Sequence, residues 1–206
     1  MKINVGRQDH RKTYFIHSGI LKAKSSFFRG CLDGSFIEAQ KNEINLPEDE
    51  PELFHHVLAC LYNLPLTLKD DDPAVPKLIY LYSMADRLML TEMRNHVVDA
   101  LYDQFSRNTI RYATLRTLSE CGLHESKAMD FLADEAGREL SVRYESVWSK
   151  NEVFELYALS PALVKRVLDR WHTIQSVDDT RPAACHYHEH ETDEDRAKCK
   201  ETEQKK

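Results

Sequence analysis

The sequence predicts an α+β protein, a small mixed sheet with helices packed on it, and three features carry that prediction. Strand-forming residues recur in short stretches near the amino terminus, at Lys2-Ile3-Asn4-Val5, Tyr14-Phe15-Ile16 and Glu43-Ile44-Asn45-Leu46. From Leu53 to Phe105 apolar residues return at helical spacing. From Asn108 onward the pattern is helical only. Strands first and helices afterwards are the mark of an α+β arrangement.

Lys2–Val5 is the first strand, and Gly6 to Lys12 is a polar turn that joins it to the second as a hairpin. Ser18-Gly19 breaks the extended pattern and allows a short helix that carries Ile20 and Leu21 inward. Ser25 stands where its hydroxyl can cap a second helix. Phe27, Phe28, Cys31 and Leu32 share one face of that helix. Asp33-Gly34 ends it, with Gly34 available for a left-handed closing residue.

The strand Glu43–Leu46 is stopped by Pro47. Asp49-Glu50-Pro51-Glu52 starts a helix, because acids favour the positive end of the helix dipole and proline is tolerated in the first turn. Leu53, Phe54, Val57, Leu58 and Leu61 form its inward stripe. Leu64, Leu66 and Leu68 alternate as a short strand that Pro65 confines to a sheet edge, and Lys69–Pro73 is a loop. A long helix follows with Leu78, Ile79, Leu81, Tyr82, Ala85 and Leu88 inward. Thr91 can cap the next, which turns Met93, Val97, Val98, Leu101 and Phe105 inward. Phe27, Phe28, Leu53, Phe54, Leu58 and Leu81 are expected to centre the core.

Residues 106–174 read as a helical extension, and residues 175–206 as a polar, partly disordered tail. In the extension, Ile110, Ala113 and Leu118 give one face and Ala128, Phe131, Leu132 and Leu140 another. Val153, Phe154, Leu156 and Tyr157 mark a third helix, and Ser160-Pro161 starts a fourth with Leu163, Val164, Val167, Leu168 and Trp171.

Hydrophobic content of 42% and charged content of 30% fit a globular chain. A net charge of -6 argues against a general nucleic-acid or anionic-membrane binder, since phosphate binding rests on clustered positive charge. Met1 to Gly6 lacks the apolar core of a secretory signal, and no apolar run approaches bilayer length. Cys31, Cys60 and Cys121 stand isolated among apolar residues, which suits a reduced, intracellular setting, cytoplasm or nucleus. There is no Gly-x-Ser-x-Gly elbow, no Walker-type loop and no His-Glu-x-x-His helix, so no enzyme is expected. His17 beside Ser18 and Ser25 reads as structural, and His55 with His56 as residues of a helix surface.

In order along the chain stand Phe15-x-His17, Leu21, Ser25-x-Phe27-Phe28, Phe36-x-Glu38-Ala39 and Ile44-x-Leu46-Pro47. This set resembles the BTB/POZ domain, particularly its fungal representatives, over residues 1–105. Leu81-Tyr82-x-x-Ala85-Asp86 and Met93-Arg94 look like that family's closing helices. The resemblance implies a non-catalytic protein–protein interaction module with two uses: self-association, and recruitment of a partner such as a cullin-type ubiquitin ligase scaffold, to which it would bring substrates as an adaptor. Phe36-Ile37-Glu38 is similar to the hydrophobic-x-acid signature that cullin-binding members place in the loop after the second short helix, which would put Phe36 and Glu38 at the partner site. The competing reading is that Phe36 covers the domain's own core. Lys24 stands where family homodimers bury a basic residue against an Asp ahead of the first strand. Here the chain starts Met1-Lys2-Ile3 without that Asp, and an unpaired buried charge costs several kcal/mol. The expectation is a monomer, or a dimer no tighter than micromolar.

A rival function rests on the tail. Cys185, His186, His188, His190 and Cys199 supply the sulfur and imidazole ligands that zinc prefers, as in a zinc-binding regulator or an enzyme centred on them. Their spacing fits no standard finger, and a polar tail without metal is the competing reading.

Overall fold

In the computed structural model of the chain, β1 (Lys2–Val5) is the middle strand of a three-stranded sheet. It pairs antiparallel with β2 (Lys12–Phe15), Ile3 opposite Tyr14, and parallel with β3 (Glu43–Leu46), Ile3 opposite Ile44. A parallel pair needs a crossover. The connection is made by α1 (Ser18–Lys24), α2 (Ser26–Asp33) and α3 (Ile37–Lys41). Ile3, Val5, Ile44 and Leu46 are buried on one face. On the other face Asn4 is satisfied by its cross-strand neighbours: Thr13 Oγ1 donates to its Oδ1 at 2.8 Å, and its Nδ2 donates to Asn45 Oδ1 at 2.9 Å.

The structure describes residues 1–67, 74–106, 108–123, 125–143, 148–174 and 181–203. They divide into two compact units, Met1–His96 and Val97–Lys206.

In the first unit Ser25 caps α2 as its position predicts, accepting from the Phe28 amide at 3.1 Å while its hydroxyl donates to the Leu88 carbonyl at 2.6 Å. Buried and twice engaged, it links α2 to the end of α5 (Ala74–Arg87). Helix α4 (Pro51–Leu61) begins at Pro51, where a missing N–H costs nothing. Its buried stripe is Pro51, Phe54, Val57, Cys60 and Leu61, rotated from the expected one, so Leu53 and Leu58 are only half-buried. Phe28, Phe54 and Leu81 do sit at the centre, whereas Phe27 lies half-exposed on the edge of the Phe28 ring.

The expected strand after α4 does not form at Leu64–Thr67. Asn63 turns left-handed (φ 57°), and the Leu64 amide is spent on closing the helix at the Ala59 carbonyl, 2.8 Å away. Leu68 and the loop Lys69–Pro73 lie outside the described residues. Buried Asp49 ion-pairs with Arg87, fastening the start of α4 to the end of α5. Helix α6 (Thr91–Phe105) buries Met93, Val97, Val98, Leu101 and Phe105.

The second unit contains α7 (Tyr112–Glu120), α8 (Lys127–Arg143), α9 (Lys150–Leu159) and α10 (Pro161–Ile174). Helices α8 and α10 meet at Gly137: a Cβ there would stand 3.0 Å from Arg170 Cβ and from the Trp171 amide nitrogen. Helix α9 is opened by a capping box between Ser149 and Glu152. It buries Leu156 and leaves Phe154 and Tyr157 in solvent. In the tail, Arg181 lies over the Tyr102 ring at 4.0 Å and pairs with Glu135 at 2.9 Å. A 3-10 turn (Ala184–Tyr187) buries Tyr187, whose hydroxyl donates to Asp134 at 2.7 Å, and α11 (Asp193–Glu203) follows. Among the described residues no helix is long and apolar enough to cross a membrane.

Candidate partner-binding surface

Phe36 does not cover the core of its own domain. Its side chain is 62% exposed, next to Ile37 at 57%. It is also not in a loop, since it caps α3, its carbonyl accepting from the Ala39 amide at 3.1 Å and the Gln40 amide at 3.3 Å. The ring position is set by Gly34. That residue is extended (φ -85°, ψ 178°), not left-handed as expected, and what the site uses is its missing Cβ. A Cβ there would lie 2.6 Å from Phe36 Cδ2. Glu38, half-buried on α3, lies near Cys31, whose thiol is pushed up by burial and then by the Glu38 charge. The outcome is an apolar pair with an acid beside it, on a short helix held by its backbone.

Lys24 is not waiting for an acid. It ion-pairs with Glu92 of its own chain and donates to Asn63 Oδ1 at 2.6 Å. The expected unpaired charge is therefore already neutralised, by a residue that sequence spacing gave no reason to choose. His17 contributes its carbonyl to the first turn of α1, and the Ser25 hydroxyl donates to the Leu88 carbonyl. Exposed Phe15 and Met89 add apolar surface that the sequence reading did not single out. Phe15 alternates with Tyr14, which packs on Phe54 at 5.0 Å, and that alternation was its only signal.

In the tail, Cys185, His188, His190 and Cys199 converge, each with a ligand atom within 4.8 Å of the others. Cys185 Sγ is 3.5 Å from His190 Nε2, and His188 Nδ1 is 3.2 Å from Cys199 Sγ. Burial, then the hydrogen bond with Cys185, push the Cys199 thiol up to about 12. His186 stands apart from these four, its ring edge-on to Tyr187 at 4.8 Å.

No curated protein matches the chain with significance. The sequence model of the BTB/POZ domain does match, over residues 2–105, from β1 to the last residue of α6. The strand–helix–strand crossover, the capped Ser25 helix and the closing pair α5 and α6 all lie within that span. Such domains are protein-interaction modules, generally without catalysis. With just over half of its length matched, the chain belongs to the BTB/POZ domain family.

Proposed function

We propose that this protein acts as an adaptor, its BTB domain docking on a cullin-type ubiquitin ligase scaffold and its second unit holding a further protein. The observation that carries the reading is the exposure of Phe36, fixed at the start of α3 with Glu38 two residues on. An aromatic side chain held in solvent by backbone geometry loses little entropy on docking, and buried aromatic anchors dominate interface energetics. An adaptor also needs a second surface. Support for one comes from α9 and α10, where Trp148, Val153, Leu156, Val164 and Leu168 help line an apolar pocket of about 140 Å³, with Phe154 and Tyr157 exposed on α9.

Calorimetry with an unmodified amino-terminal cullin fragment tests the reading. Wild-type protein is expected to bind, and Phe36→Ala to lose about 2 kcal/mol or more, as for a hot-spot aromatic, with its melting temperature unchanged. Absence of wild-type binding would end the cullin reading. A folded Phe36→Ala protein that binds normally would remove Phe36 from the site.

A further inference from the structure

The two tail cysteines and two of its histidines meet from opposite sides of a reversal in the chain. Cys185 and His188 come from the 3-10 turn and its exit, His190 from the next stretch, and Cys199 from the middle of α11. We propose that Cys185, His188, His190 and Cys199 bind one zinc ion, and that this ion fastens α11 to the rest of the second unit.

The donor set is two sulfurs and two imidazole nitrogens, the combination that selects tetrahedral zinc. With Zn–S of about 2.3 Å and Zn–N of about 2.0–2.1 Å, a tetrahedron separates its sulfur and nitrogen ligands by about 3.5 Å. The Cys185–His190 and His188–Cys199 separations, 3.5 and 3.2 Å, are already of that size. All four ligand atoms lie within 4.8 Å of one another, so small side-chain movements would complete the shell. Binding would release the two thiol protons to solvent, leaving two thiolates to balance the dication.

A second observation comes from outside the tail. The His188 side chain is 9% exposed, and its Nε2 lies 3.1 Å from Asp99 Oδ1 on α6. With Nε2–H donating to that carboxylate, Nδ1 is left with its lone pair facing Cys199. A carboxylate behind a metal-bound histidine is the usual device for fixing the ring and its tautomer. Cys185 is positioned likewise, its backbone amide donating to both Glu203 carboxylate oxygens at 3.2 Å. A cleft of about 390 Å³, bordered by Asp99, His188, Cys199 and Glu203, opens onto the cluster and gives an ion a route in.

The third observation is α11 itself. Its 11 residues, Asp193 to Glu203, include none that is buried. A helix that is polar all round and this short is marginal alone in water. Thr192 caps it through the Asp195 amide at 3.1 Å, which stabilises one end without giving it a face to pack. Beside the hydrogen bonds from the Cys185 amide to Glu203, metal ligation at Cys199 would give α11 a strong tertiary attachment.

The test uses the full chain, purified under reducing conditions without chelator, then stripped and titrated with zinc alone. One bound equivalent is expected, kept by His186→Ala and lost by Cys199→Ser. Asp99→Asn should keep the stoichiometry and weaken affinity about 10–100-fold. Cobalt in place of zinc should give the visible absorption of a tetrahedral, thiolate-ligated ion, a readout that needs no variant to fold. Zinc should also slow hydrogen exchange along α11. Well under one equivalent after titration, a Cys185–Cys199 disulfide in the reducing preparation, or undiminished zinc in Cys199→Ser would each overturn the site. Equal protection of α11 with and without zinc would overturn the fastening role.

Discussion

Lys24 on α1 is ion-paired with Glu92, a residue 68 positions later in the same chain, at the start of α6. Its charge therefore needs no acid from a second copy, and an interface built over it would have to displace Glu92 or bury the pair whole. We expect a monomer, or a dimer no tighter than micromolar, by sedimentation equilibrium. A dimer that persists at nanomolar concentration would show this wrong. The pair is partly exposed, so Glu92→Gln should lower stability by no more than about 1 kcal/mol.

Phe27 and Phe28 are adjacent aromatics with different surroundings. Phe28 is fully buried, and Phe28→Ala should cost about 3–5 kcal/mol. Phe27 keeps part of its ring in solvent, so Phe27→Ala should cost clearly less. Urea titration of the two variants checks the order; equal losses would mean that α2 is turned differently on the core.

Gly137→Ala sets two effects against each other. Alanine improves helix propensity by about 1 kcal/mol. Its methyl group, however, would lie 3.0 Å from a backbone nitrogen of α10, which cannot swing aside. Overpacking of this kind costs about 1–3 kcal/mol. The expected net result is a lower melting temperature, read by calorimetry; a rise would show that α8 and α10 part easily.

Burial, and then the negative charge of Glu92, push the Cys60 thiol up to about 11. Because the thiolate is the nucleophile, Cys60 should resist iodoacetamide at pH 7 in the native protein and react after denaturation. Peptide mapping would reject this if Cys60 were alkylated as fast in the native protein as in the denatured one. The linkage has a sign. The folded state holds this proton more tightly than the unfolded one, so the contribution to stability is complete below about pH 9 and is lost as pH rises toward 11.

What could be read beforehand was mostly local. The bounds of β1 and β3, the Ser25 cap and the proline at the start of α4 each depend on residues within a turn or two, and each appears where the sequence places it. The five residues of α3 are too few to show a period, so nothing local separates Phe36 from a loop. Leu64 looked like strand because alternation says nothing of where its amide goes. The partners of Lys24 and His188 lie 68 and 89 residues away, and no spacing rule reaches that far. For the same reason composition alone gave His186 equal standing with His188 and His190. Only the backbone path distinguishes the ring beside Tyr187 from the two that meet Cys185 and Cys199.

The place of β1 between two strands that do not touch each other has a consequence for synthesis and for handling. Strand β1 takes the seat that both neighbours depend on, yet its parallel side stays open until the ribosome has reached Glu43, 41 positions after Lys2. Until then only the hairpin with β2 can form, and a lone hairpin is marginal in water. Clipping Lys2–Val5 would separate β2 and β3 in one cut, with no two-stranded remnant to fall back on. A protease nick within these four residues would therefore harm the domain far more than their number suggests.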